Sequence, residues 1–271
     1  MGTTQIARPR MTTGWSQLLW IGLAFFAIAA LYSSVGFGGG SSYLALLALV
    51  LPNFLEVKTT ALLCNLVVVS GSTYLYLKQG LVDWKQFLPL ALCSVPAAFL
   101  GATIPLTQHT FFISLGLVLA LSGLLLFLPF FRKTTAETQP IIRKRPYVLS
   151  FLLGGGSGFM SGLVGIGGGI LLAPFLHLLR WDAPKKIAAL ASFFILLNSI
   201  SGLAGLAFAG KFAVSPITTP ILLLAVLVGG QLGARLSLNL LPAPAIKGIT
   251  GLLVFYIGFK LVVRYTWGLE V

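Results

Sequence analysis

From about residue 15 to residue 264 the chain is a succession of apolar runs, and two of them are broken by glycine clusters. The first break reads SVGFGGGSSYL over residues 34–44 and the second LVGIGGGILLA over residues 163–173. A helix that crosses a bilayer needs about 20 mostly apolar residues, and most of the runs reach that length. A water-soluble core needs neither such lengths nor so many of them. With 57% hydrophobic and 8% charged residues in 271, the chain is predicted to be an all-α polytopic membrane protein.

The charge balance fits that class. Eighteen Lys and Arg stand against 5 Asp and Glu, which in a soluble chain would suggest a nucleic-acid partner. Here the basic residues lie in short segments between apolar runs, where they act as topology signals and touch anionic lipid. Membrane lipids are therefore expected as partners and nucleic acid is not; the oligomeric state is not legible. Cys64 and Cys93 lie within apolar runs without metal-ligand spacing, so they read as small apolar fillers. His109 and His177 stand near segment ends with no acid or thiol at a useful spacing. No acid, base and nucleophile set is present, so neither an enzyme nor a cofactor or metal site is expected. Arg8 and Arg10 precede an apolar stretch ending in Ala27-Ile28-Ala29, which resembles a cleaved signal peptide. Because residues 15 to 35 have a counterpart at 147 to 164 inside the chain, the first stretch is expected to stay as a span.

That counterpart belongs to a longer correspondence. The second glycine cluster follows the first by 129 residues, and Lys58 matches Lys186, Ser70-Gly71 matches Ser201-Gly202, Gly80 matches Gly210, Pro89 matches Pro220 and Gly101-Ala102 matches Gly233-Ala234, at offsets between 128 and 132. We read two pseudo-symmetric repeats, 15–131 and 147–264, joined by a basic linker at 132–146 expected in the cytoplasm, with tails at 1–14 and 265–271. Internal repetition of this kind is characteristic of transporters whose site lies between two halves.

Each repeat holds four long runs and one short one. The runs fall at 15–35, 41–51, 59–77, 84–104 and 109–131, then at 147–164, 170–179, 187–209, 214–240 and 245–263. The pieces after the glycines have only about ten residues, half of what a span needs, and are predicted to be broken or re-entrant half-helices. Two topologies remain. Four crossings per half give about eight spans and parallel halves; five per half give about ten and inverted halves. Lys78, Lys85, Arg132, Lys133, Arg143, Lys144 and Arg145 lie inside in both. The first adds Arg8, Arg10, Lys211, Lys260 and Arg264, the second Arg180, Lys185, Lys186, Arg235 and Lys247. Each puts twelve of the 18 basic residues inside, so the charges leave a tie.

A glycine loop that opens a half-helix leaves several backbone N–H groups without intrahelical partners, at the positive end of the helix dipole. Such an end binds an anion without any charged side chain. Gly36, Gly38, Gly39 and Gly40 in the first half and Gly165, Gly167, Gly168 and Gly169 in the second are the candidate substrate loops. Ser41 and Ser42, with Ser33, Ser34, Ser157 and Ser161, could complete the shell. Scattered glycines such as Gly116, Gly123, Gly205 and Gly251 read as helix-packing positions. Asn65, Ser70, Ser192, Asn198 and Ser199, with Gln231 and Arg235, are the other polar residues within apolar runs and are candidates for substrate contact. Lys58 and Lys186, each at the start of a helix, read either as snorkelling side chains or as charges that draw an anion in. The acids Glu56, Asp83, Glu137, Asp182 and Glu270 fall in predicted loops or termini. No carboxylate is therefore available at mid-membrane to carry a proton or hold a sodium ion. An anion can use the membrane potential instead, worth about 2.3 kcal/mol per charge at 100 mV.

The Gly-x-Gly-Gly-Gly motif in each half, the second running GIGGGILLAP from Gly165 to Pro174, and the basic central linker resemble the TauE/SafE family of sulfite exporters, also called transmembrane sulfur-compound permeases. The resemblance covers about residues 17 to 264. It implies a bacterial inner-membrane carrier of about eight spans that moves small sulfur-containing anions such as sulfite or sulfonates, with the two glycine clusters as paired substrate loops. The chain departs from that pattern at Ala45, where the second repeat has Pro174, so the halves need not bind alike. A channel-like permease for another oxyanion, a weak acid or a neutral solute, and a membrane protein without transport activity, are the alternatives.

Overall fold

The structure, a computed structural model, describes residues 15–34, 36–51, 53–131, 147–179, 181–236 and 243–267. The tail at 1–14, the linker at 132–146 and residues 268–271 lie outside the described residues. Ten α-helices and no strand occur among the described residues. In chain order they are α1 (Trp15–Ser33), α2 (Gly40–Val50), α3 (Phe54–Lys78), α4 (Trp84–Thr103), α5 (Gln108–Phe131), α6 (Tyr147–Val164), α7 (Gly169–Leu178), α8 (Pro184–Phe208), α9 (Thr218–Leu236) and α10 (Ala243–Trp267). Seven of these, α1, α3, α4, α5, α6, α8 and α9, are long and apolar enough to cross a membrane. Large apolar side chains lie bare on the outside, Phe208 at 80% and Trp20 at 73% exposure. Water would penalise that surface and lipid does not.

Local chemistry sets the helix limits. The Asn53 side chain accepts a hydrogen bond from Leu55 N, and Asp83 accepts one from Lys85 N, so α3 and α4 start on side-chain caps. Pro184 occupies the first turn of α8, where its missing N–H costs nothing. Glu56, expected in a loop, lies in the first turn of α3, a favourable place for a carboxylate. The helices α3 and α8 end alike: Leu81 N donates to Tyr76 O and Lys211 N to Leu206 O, with Gly80 and Gly210 closing each turn.

Helix directions follow from which residues meet. Along α4 and α6, Gly154 meets Leu90, Gly158 meets Ser94 and Gly162 meets Ala98, so the two run parallel. Along α1 and α9, Gly229 meets Phe26 and Gly233 meets Ala30, again parallel. The helix α3 runs with α9, through Thr60 to Thr219 and Val68 to Gly230, and α8 runs with α4, through Ser201 to Val95 and Gly205 to Phe99. Between α3 and α8 the sense reverses: Leu62 meets Gly202, while Tyr76 and Ala188 both meet Gly36. The helices α5 and α10 are also antiparallel, since Gly116 meets Val262 and Gly123 meets Phe255. Counted by rank in the two groups of five, α1 opposes α6, α3 opposes α8 and α4 opposes α9. The centre of the molecule is the α3–α8 pair, whose apolar windows are 50% and 61% buried against 28% for α1 and 33% for α6.

Glycine makes these contacts possible. A Cβ on Gly162 would stand 1.9 Å from Ala98 O, and one on Gly233 would stand 2.1 Å from Ala30 O. Gly116, Gly123 and Gly205 likewise lie against neighbouring backbone, as their scattered positions led us to expect. Gly162→Leu is therefore expected to push α4 from α6 and to lower the unfolding midpoint in detergent by roughly 2–12 °C, the effect of an overpacking cost of about 1–3 kcal/mol. Gly156→Leu, on the exposed face of the same helix with nothing within 4 Å, serves as the control and should leave the midpoint in place.

Candidate functional site

Both short helices are half the length of a span and both begin at glycine. The N-cap residues Gly39 (φ 82°) and Gly168 (φ 79°) take the left-handed conformation, and neither half-helix has a side-chain cap. A side chain at either position would be strained. A Cβ on Gly39 would also stand 2.9 Å from Tyr43, and one on Gly168 would stand 3.0 Å from Phe194. The Gly39 and Gly168 carbonyls accept from Ser42 N and Tyr43 N and from Leu171 N and Leu172 N, which closes the first helical turns. The earlier N–H groups of each helix have no intrahelical acceptor.

The chain folds back at each break. Gly39 lies against Ile28, and Tyr43 stacks on Phe25 with ring centroids 4.7 Å apart, so α2 returns along α1. Gly168 lies against Ser161 and Ser157, so α7 returns along α6. Because α1 and α6 are opposed, α2 and α7 leave the centre in opposite directions, with their positive ends together.

Asn65 stands where those ends meet. It is the twelfth of the 25 residues of α3 and is fully buried. A Cβ on Gly40 would be 2.1 Å from Asn65 Nδ2, one on Gly38 would be 2.4 Å from Asn65 Oδ1, and one on Gly167 would be 2.9 Å from Asn65 Nδ2. The Nδ2 group donates to Ile166 O at 2.9 Å, so a residue of the first half holds the loop of the second. Ser192 does the reverse, its hydroxyl donating to Gly36 O at 2.8 Å. At the position of α8 that corresponds to Asn65 stands Ile195, which meets Gly167 and Gly169. The first loop therefore meets the amide at Gly38 and Gly40, and the second meets it at Gly167 and a branched alkyl chain at Gly167 and Gly169.

Between the loops lies a cavity of ≈ 10 Å³ bounded by Tyr32, Gly38, Gly39, Gly40, Ser41, Asn65, Ile166, Ile170 and Ile195. That space holds about one water molecule, so an oxyanion of four or more heavy atoms requires the half-helices to separate. Among the described residues, Ser41 Oγ, Tyr43 OH, Asn65 Oδ1, Ser161 Oγ, Asn198 Oδ1 and Ser199 Oγ are buried without a hydrogen-bond partner. Each such group costs about 1–3 kcal/mol. Five of them, on Ser41, Tyr43, Asn65, Ser161 and Ser199, gather around the two glycine loops, the pattern of a polar site that something else completes.

The remaining candidates divide. Ser42 is bonded to Tyr32 OH at 2.8 Å, Ser33 to Gly230 O at 2.8 Å and Asn198 Nδ2 to Phe194 O at 2.9 Å; Ser157 donates to Leu153 O. Ser70 faces outward and bonds Val67 O, Gln231 packs on Gly71, and Arg235 is exposed at the end of α9. The lysine pair, matched in sequence, is not matched in space. Lys58 is 4% exposed and donates to Leu163 O at 3.0 Å, whereas the Lys186 side chain is 46% exposed and pairs with Asp182 at 3.7 Å. Sequence reasoning passed over Tyr32, Tyr43 and Ile195. Nothing in the sequence marks the two tyrosines, and only their proximity to Ser42 and Gly39 shows them at the centre.

These features define a multi-pass membrane protein organised around two interrupted helices. The family model described as "Sulfite exporter TauE/SafE" matches residues 21–261, and the chain belongs to that family of membrane transporters. The "Probable membrane transporter protein y4hK" of Sinorhizobium fredii (strain NBRC 101917 / NGR234) is 33% identical over 246 residues, 91% of this chain and 98% of that protein. The "Probable membrane transporter protein YunE" of Bacillus subtilis (strain 168) is 30% identical over 228 residues, 76% of this chain and 83% of that protein. No solved structure matches the chain.

Proposed function

We propose that the protein carries a small sulfur-containing oxyanion, sulfite or an organosulfonate, across the bacterial inner membrane by alternating access around Asn65 and the two glycine-opened helix ends. The observation that carries this reading is the convergence of two helix N-termini on one buried amide. Each N-terminus supplies about half a positive charge together with free N–H donors, and Asn65 adds an amide that can turn toward a bound oxygen. No acidic side chain would oppose an anion in the cavity. The opposed helix directions support ten crossings with inverted halves, two of them completed by a loop and a half-helix. In that arrangement the linker faces the cytoplasm and both termini face outward.

Export then needs no coupled cation, because an inside-negative potential drives one negative charge out with about 2.3 kcal/mol per 100 mV. In proteoliposomes, sulfite flux should rise when the potential is set to drive anions in the direction measured and fall when it is reversed. At 100 mV the two settings differ by about 4.6 kcal/mol in driving force. Flux of equal size at both polarities would remove the electrogenic carrier and turn attention to a neutral or protonated solute.

A further inference from the structure

Two lysines stand together at the end of the molecule that carries the second glycine loop. The helices α4 and α6 run parallel and finish side by side, since a Cβ on Gly101 would be only 2.8 Å from Leu163 N. Lys58 Nζ donates to Leu163 O in the last turn of α6 at 3.0 Å, and Lys211 Nζ donates to Thr103 O, the last residue of α4, at 2.8 Å. Lys58 comes from the first turns of α3 and Lys211 from the α8–α9 connection, so four elements converge there. Ala213 N donates to Thr59 Oγ1 at 3.5 Å, which holds the connection that carries Lys211 against the turn of α3 that carries Lys58.

Two helix C-termini carry about one negative charge between them, and the two ammonium groups bring two positive ones. Each ammonium has three N–H donors, and among the described residues each has one acceptor. The only salt bridge among the described residues is that of Lys186 with Asp182, at the opposite end of α8. Glu56, the acid nearest Lys58 in sequence, is bonded to Asn53 at 3.5 Å. A buried, uncompensated cation is costly, and an oxyanion between the two amines removes that cost. The Lys58 stem also lies along Gly165, where a Cβ would be 2.6 Å from Lys58 Cγ, so the lysine stands directly at the start of the second glycine loop.

We propose that Lys58 and Lys211 together form an oxyanion-binding mouth that leads to the second glycine loop, a site at one end of the molecule only. This rests on the reading of the protein as an anion carrier. The test is the sulfite concentration giving half-maximal flux, for the native protein, Lys58→Gln, Lys211→Gln and the exposed control Lys85→Gln, at 10 and 200 mM salt. The two variants should raise that concentration about threefold to tenfold with maximal flux retained, and should flatten its dependence on salt. Lys85→Gln should match the native protein. Lys211 is less deeply buried than Lys58, so its variant keeps the proposal testable where Lys58→Gln fails to fold. The effect should persist in vesicles of phosphatidylcholine alone; one confined to vesicles with phosphatidylglycerol would make the amines a lipid headgroup site and overturn the proposal. Native flux with unchanged half-saturation in both variants overturns it as well. Native protein that moves neither sulfite nor an organosulfonate refutes the carrier reading itself, and this inference with it.

Discussion

Asn65→Leu is expected to lower anion flux by about 100-fold while the protein remains folded in the membrane. Leucine has the branching and the number of heavy atoms of asparagine, and Ile195 shows that a branched alkyl group is accommodated against such a glycine loop. What the substitution removes is the donor that holds Ile166 O and the buried Oδ1 that has no partner. A hydrogen bond to a charged ligand contributes about 1.5–3 kcal/mol, and Ile166 O loses its partner in the same step. At 1.36 kcal/mol per decade that amounts to roughly two powers of ten. The measurement is initial flux per mole of reconstituted protein, with the elution volume in detergent as the check on folding. Flux within threefold of native would show that Asn65 only ties the halves together.

Gly168→Val should reduce flux below detection, a loss of about 100-fold or more. A β-branched residue at φ 79° costs at least ~1–2 kcal/mol in backbone strain, and the new Cβ meets Phe194 and Ser161 at 3.0 Å. The chain relieves both by moving the N-cap, which displaces the start of α7 from the cavity between the loops. Gly80→Val isolates the backbone term: its φ is 65° and a Cβ there has nothing within 4 Å. That variant should transport nearly as well as native protein. If both valine variants lose flux equally, general strain rather than the loop accounts for the loss.

Much of this architecture was legible before any coordinates. The two half-helices were expected at 41–51 and 170–179 and are found at Gly40–Val50 and Gly169–Leu178. Prediction is that close because three successive glycines disrupt an apolar helix at a definite point. Asn65 was legible as a rare buried amide, but nothing in its neighbourhood says that it reaches Ile166, 101 residues away. Ser70, equally polar and five residues on, turns outward, since its position on the helix is not that of Asn65. The lysines mislead most. Lys58 and Lys186 hold matching places in sequence, yet one is buried against a helix end and the other is paired at the surface. Lys211, which stands with Lys58, has no counterpart in the first half, where Leu81 follows Gly80.

Segment lengths, the two glycine breaks and the scarcity of charge within the spans were determined by sequence alone. The bilayer and the demand for internal backbone hydrogen bonds act on each segment separately, so a local string suffices to read them. Helix direction, the meeting of two N-termini at one amide and the convergence of two lysines on adjoining helix ends were decided by tertiary packing. Those features depend on which glycine stripe meets which neighbour a hundred residues away, and charge counts that divide equally between two topologies carry no information about that choice.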